Sequence, residues 1–139
     1  MTRADAAWRR MNEPVIAEFR ANGGRVNRRY PVILLTTSGA RSGRAHVTPL
    51  NFSRDGDRLV VVASKGGSPT HPDWYHNLVA NAEVTIDDGR DTFLARAAVT
   101  REPERTRLYD RHAALMPFFD GYRRRVKSRQ IPVVVLDRL

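Results

Sequence analysis

Cysteine is absent from the 139 residues, which excludes disulfide frameworks, thiolate metal sites and a cysteine nucleophile. Lysine is almost absent. Of the 24 Lys and Arg residues, only Lys65 and Lys127 are lysines, so the positive charge sits on arginine, the better fork for carboxylate and phosphate. No apolar run approaches the ~20 residues that cross a bilayer. Met1 to Arg10 lacks the unbroken apolar segment of a secretory signal, so the cytoplasm is the expected compartment. No HExxH pattern is present, and His71 and His76, five apart, do not share a helical face. His46 and His112 stand alone, so no metal site is expected. Ser38, Ser42, Ser64 and Ser68 lie at turns, none in the glycine-serine-glycine elbow of a hydrolase.

What is there is an ordinary globular composition, 41% hydrophobic and 28% charged, of a length that fits one domain over residues 1–139. The net charge of +9 favours anionic partners. The cations are spread along the chain without a helix-turn-helix or RNP pattern, so a nucleic-acid partner is not expected.

Residues 4 to 22 read as helical, with Trp8, Met11, Val15 and Phe19 at spacings of three or four. Pro14 is expected to divide this segment and open a second helix capped by Asn12. A basic helix carrying a tryptophan is of the kind that touches a membrane surface; it equally suits packing of its apolar face on the domain. Pro31 to Thr37 reads as a strand buried on both faces, with Ala45 to Phe52 as its hairpin partner. Arg58 to Ala63, Glu83 to Asp87, Thr92 to Thr100 and Ile131 to Leu136 complete about six strands. Helices are expected at Pro72 to Ala80, Pro103 to Leu115 and Phe118 to Arg125. Hairpins cluster the strands, so the expected fold is mainly β with flanking helices, an antiparallel barrel rather than a parallel Rossmann sheet.

Two glycine-bearing basic turns stand out, Gly39-Ala40-Arg41-Ser42-Gly43-Arg44 and Ser64-Lys65-Gly66-Gly67. The second follows an apolar strand and precedes a proline-opened helix with Trp74, Tyr75 and Asn77. Glycine lets backbone approach a ligand, N–H groups at a helix start point outward, and Lys65 adds charge, so the stretch suits an anion. Neither turn ends as a P-loop. Trp74 and Leu78, four apart, equally suit plain core packing. Asn77 is a polar amide that needs a backbone or ligand partner.

Leu34 to Gly43, Val47-Thr48-Pro49-Leu50, Asp55-Gly56-Asp57, Ala63 to Gly67, Pro72 to Leu78 and Ile131 to Leu136 together resemble the deazaflavin-dependent nitroreductase family. The resemblance runs from about Asn12 to Leu136. It implies a split β-barrel related to flavin mononucleotide-binding barrels, and coenzyme F420, a deazaflavin with a phosphate and an oligoglutamate tail. It implies that Ala40, Arg41, Ser42 and Lys65, with Gly66 and Gly67, meet the phosphate and tail carboxylates, bonds of the strong charge-assisted kind. His46 stands where activating members carry arginine. Val47, Thr48 and Pro49 would line the ring, with Ala63 and Ser64 nearby and Trp74, Tyr75 and Asn77 closing the site.

The implied activity is hydride transfer to a small quinone-, enone- or nitro-type acceptor, the protein supplying position and a dry face. Tyr122 and Ser64 are the candidate catalytic hydroxyls. The acceptor side is placed at Met116, Phe119 and Tyr122, where only Tyr122 retains the family's tyrosine and Phe119 cannot donate a proton. Rival readings are a flavin mononucleotide or haem barrel and an F420 carrier without catalysis. The resemblance leaves monomer and homodimer open.

Overall fold

The computed structural model describes the backbone from Arg3 to Leu139 and the side chains from Ala6 onward. Helix α1 (Arg3–Ala21) comes first, followed by strands β1 (Val32–Ser38), β2 (Ala45–Asn51), β3 (Ser53–Asp55) and β4 (Arg58–Val62). A one-turn 3-10 helix at Lys65–Gly67 leads to α2 (Asp73–Ala80). Then come β5 (Glu83–Asp87), β6 (Thr92–Val99), α3 (Glu104–Leu115), α4 (Phe118–Arg125) and β7 (Val133–Arg138).

The described residues form one seven-stranded sheet in the order β2-β1-β5-β6-β7-β4-β3, with every pairing antiparallel. Strands β2 and β3 occupy opposite edges, yet only Phe52 separates Asn51 from Ser53. Laid flat, edges six strand spacings apart would be about 29 Å from each other. A single residue cannot span that distance, so the sheet has to curl until its edges meet at Phe52. This is the expected antiparallel barrel in its split form.

Alternation along the strands supplies two apolar faces. Inside the curl lie Ile33, Leu35, Leu59, Val61, Ile86, Val134 and Leu136, plugged by Trp74 and Leu78 of α2. On the outer face, Val60, Val62, Val133 and Val135 receive α3 and α4 through Leu108, Tyr109, Ala113, Met116 and Phe119. Val32 and Leu34, on the same face of β1, receive Val15 and Phe19 of α1. Beyond α1 the backbones of Gly24 and Gly89 touch: a Cβ on Gly24 would lie 2.5 Å from the Gly89 Cα. Only glycine fits there.

Two sequence expectations change. Helix α1 runs unbroken through Pro14, and Asn12 is an interior residue rather than a cap. Pro14 removes one N–H bond, but it is exposed, as is Arg10 four residues before it, so water can solvate the carbonyl set free. The expected strand at Ala45 to Phe52 ends at Asn51, and after Phe52 the chain resumes as β3, which pairs with β4. There are thus seven strands rather than six, because a three-residue strand shows no period of its own.

Candidate functional site

Beside the seam, a cleft of about 400 Å³ opens between α1, β2, the loop after β4, the start of α2 and α4. One wall is strand β2, contributing His46, Val47, Thr48 and Pro49; the facing wall carries Ser64, Lys65, Gly66, Trp74 and Asn77. Phe118, Phe119 and Tyr122 of α4 close one side. The lining is apolar along the walls, with cationic groups at Arg9 and Lys65 and carboxylates at Glu13 and Asp73.

The loop after β4 is the most tightly shaped part. Lys65, Gly66 and Gly67 have φ of 48°, 62° and 82°, a left-handed run that costs little only at glycine. Aromatic rings flank it. A Cβ on Gly66 would stand 3.2 Å from the Trp8 ring, and one on Gly67 would stand 3.4 Å from Tyr122 Cδ1. The backbone closes on itself through Gly67 N–H to the Ser64 carbonyl at 3.0 Å and Ser68 N–H to the Lys65 carbonyl at 3.1 Å.

Asn77 finds protein partners. Its Oδ1 accepts the Ala40 N–H at 3.0 Å and its Nδ2 donates to Thr37 Oγ1 at 3.1 Å. It therefore ties α2 to the turn between β1 and β2, the other glycine-bearing basic turn. Trp74 packs in the inner core and also lines the cleft.

Among the residues expected from the sequence, the cleft gathers His46, Val47, Thr48, Pro49, Ser64, Lys65, Gly66, Trp74, Asn77, Phe119 and Tyr122. Ala40, Arg41 and Ser42 lie outside its lining, exposed on the β1–β2 turn. Gly67 and Tyr75 also stand behind the lining, Tyr75 with its ring 4.7 Å from that of His71. Ala63 is fully buried in the inner core. Met116 is buried against α3 in the outer core, so its side chain does not reach the acceptor space.

Sequence reasoning missed the α1 contribution: Trp8, Arg9, Asn12, Glu13 and Ile16 all line the cleft. Their helical spacing reads as packing, and only the fold shows that the helix passes over the opening. Arg9 Nη2 lies 3.1 Å from His46 Nδ1, joining α1 to β2. Arg129, behind the loop, was also missed. Beneath α4, His112 is wholly buried, with Nδ1 2.7 Å from Ser53 Oγ and no partner for Nε2 among the described residues. Burial pushes its pKa down from 6.5 to about 4.

A curled antiparallel sheet with a helical plug and a cleft at its seam defines a split β-barrel protein. Comparison with known proteins gives the family. Residues 8–138 match the family model of the F420H(2)-dependent quinone reductases, and the chain belongs to that family. An F420H(2)-dependent quinone reductase of Mycobacterium tuberculosis is 39% identical over 132 residues, covering 88% of this chain and 86% of that one. A solved F420-H2 dependent reductase has 33% identity and a TM-score of 0.70, covering 77% of this chain and 94% of its own. A domain-swapped dimer has 31% identity and a TM-score of 0.72, covering 95% and 98%.

Proposed function

We infer that this protein is an F420-dependent oxidoreductase whose cleft holds reduced coenzyme F420 against a quinone-type acceptor. The observation that carries the reading is the cleft itself: an apolar strand wall, a glycine loop facing it, and cationic groups beside both. That chemistry fits a planar ring with an anionic tail. Val47, Thr48 and Pro49 would lie along the ring, with Trp74 opposite. Lys65, and Arg41 from the exposed turn, would meet the phosphate and carboxylates. When bound, the reduced deazaflavin supplies a hydride.

The chain's own residues then do four things. The Lys65–Gly67 loop fixes the position of the anionic part. Val47, Pro49, Val62 and Trp74 exclude water from the reacting face. Phe118 and Phe119 shape the acceptor side. Tyr122 Oη holds the proton that must accompany the hydride, with Ser64 Oγ as a further candidate hydroxyl of the cleft. Since Phe119 replaces a donor with a plain ring, quinones and enones are favoured over nitro compounds.

The chain acts as one domain in this reading. No described helix is long and apolar enough to cross a membrane. Exposed Arg10 and Met11 on α1, on the face of the helix turned away from the cleft, would let a cytoplasmic protein touch an anionic membrane surface through this helix. Pairing of two copies is carried over from the domain-swapped relative.

The test is fluorescence titration with F420, followed by oxidation of the reduced cofactor in the presence of quinones, enones and nitroaromatics. Saturable binding with fastest turnover on a quinone is the expected result. Binding without turnover on any acceptor would make the protein a carrier. No binding would end the reading.

A further inference from the structure

Arg129 lies on the segment between α4 and β7, distant in sequence from every residue it touches. Its guanidinium has five N–H donors, and the structure gives it five acceptor contacts. Nε reaches the Ser68 carbonyl at 3.2 Å. Nη1 reaches the Ala63 carbonyl and His71 Nδ1, each at 2.9 Å. Nη2 reaches the Ser64 carbonyl at 2.8 Å and the Ser68 carbonyl at 3.0 Å. Next to it, Ser128 Oγ donates to the Pro69 carbonyl at 3.1 Å. The loop between β4 and α2 is therefore gripped from behind, on the side away from the cleft.

We propose that Arg129 is the positioning residue of the cofactor loop, and that His71 is the partner whose protonation loosens this grip and weakens cofactor binding. The proposal rests on the cleft being the F420 site. The left-handed run at Lys65–Gly67 is held in place by having the carbonyls on either side of it, at Ala63, Ser64 and Ser68, engaged by one planar cation. Lysine, a compact ammonium with three donors, cannot span these acceptors.

The His71 contact sets a direction with pH. Arginine always donates, so His71 accepts at Nδ1 only while neutral, with its proton on Nε2. Protonation removes that acceptor and sets a second cation against the guanidinium. The other groups facing His71 are the Tyr75 ring at 4.7 Å and the His76 ring at 5.7 Å. Burial, then Arg129, then His76 hold the His71 pKa below 6.5, so the loop is clamped at neutral pH and loosens only below pH 6.5.

Arg129→Lys keeps the charge and tests the fork. Its F420 dissociation constant should rise roughly tenfold, as expected for lost charge-assisted bonds. The KM for the cofactor should rise with it while kcat changes little. Hydrogen exchange at the Gly67 and Ser68 amides should quicken, with β5 and β6 amides unchanged. His71→Gln should bind F420 as wild type does at pH 8 and lose the wild-type weakening that sets in below pH 6.5, whereas His76→Gln should keep it. Wild-type affinity and unchanged loop exchange in Arg129→Lys would overturn the positioning role, and a low-pH weakening that survives His71→Gln would overturn the pH link. A wild-type protein that fails to bind F420 would instead remove the functional reading underneath, while the exchange comparison would still report on the clamp.

Discussion

The two glycine-bearing basic turns are close to equals in sequence and opposites in structure. The turn between β1 and β2 stands in solvent, with Ala40, Arg41, Ser42 and Arg44 all exposed. One bond from outside the turn, Ala40 N–H to Asn77, ties it to the rest of the site. The loop between β4 and α2 is packed between Trp8 and Tyr122 and held from behind by a guanidinium with every donor used. One is an exposed charged tip, and the other is a built surface. A cofactor with a rigid ring and a flexible anionic tail needs one of each. That division of labour is what the individual residues can test.

Asn77→Leu should have the largest effect, because it cuts the tip from the rest of the site. It strands the buried Thr37 hydroxyl, which costs about 1–3 kcal/mol, and releases the Ala40 N–H on the exposed turn, where water can replace Asn77. Chemical denaturation should show a loss of about 1–3 kcal/mol, together with weaker cofactor binding. His112 separates core titration from loop titration. Its folded-state pKa of about 4 lies below the ordinary 6.5, so folding favours the neutral ring. The associated stability is complete above pH 6.5 and is lost as the pH falls toward 4. The whole span is worth about 3 kcal/mol. His112→Phe should flatten stability over that window without changing the pH dependence of F420 affinity, which belongs to His71.

Lys65 comes next. Lys65→Ala should weaken F420 binding roughly tenfold, the scale of one charge-assisted bond, measured by fluorescence titration. Lys65→Gly, which suits the left-handed φ of 48°, should lose the same affinity and hold stability within about 1 kcal/mol. If glycine restored affinity, backbone shape and not charge would be the reason for this position. Arg41→Ala should do least, about two- to threefold and vanishing at high salt, as for an exposed charge. An Arg41 effect larger than that of Lys65 would reverse the assignment of tip and surface.

The elements with a strong repeating pattern were legible in the sequence: the doubly buried strand β1, its hairpin with β2, and helices α2, α3 and α4 within a residue or two. Local pattern fails where the outcome depends on long-range geometry. Pro14 reads as a break because its cost is local, whereas α1 continues through it with Val15 and Phe19 docked on β1. Strand β3 is three residues long and is defined by its pairing with β4. In the site, the β2 wall and the Ser64 loop carry motifs that name them. Arg129 carries none: its partners are mostly backbone carbonyls 61 to 66 positions away, which leave no side-chain signature. Met116 was placed at the acceptor side by the family resemblance; between α3 and α4 its side chain packs in the outer core, a long-range outcome that no local pattern shows.

The central claim, that this cleft carries reduced F420 to a quinone, is tested most directly by oxidation of F420H2 by a naphthoquinone, with Tyr122→Phe beside the wild type. Loss of a positioned proton donor costs roughly 10² or more in rate. The account predicts saturable, quinone-dependent oxidation by the wild type, and a fall in kcat of that order in Tyr122→Phe with the F420 dissociation constant unchanged. Absence of quinone-dependent oxidation by the wild type would contradict it.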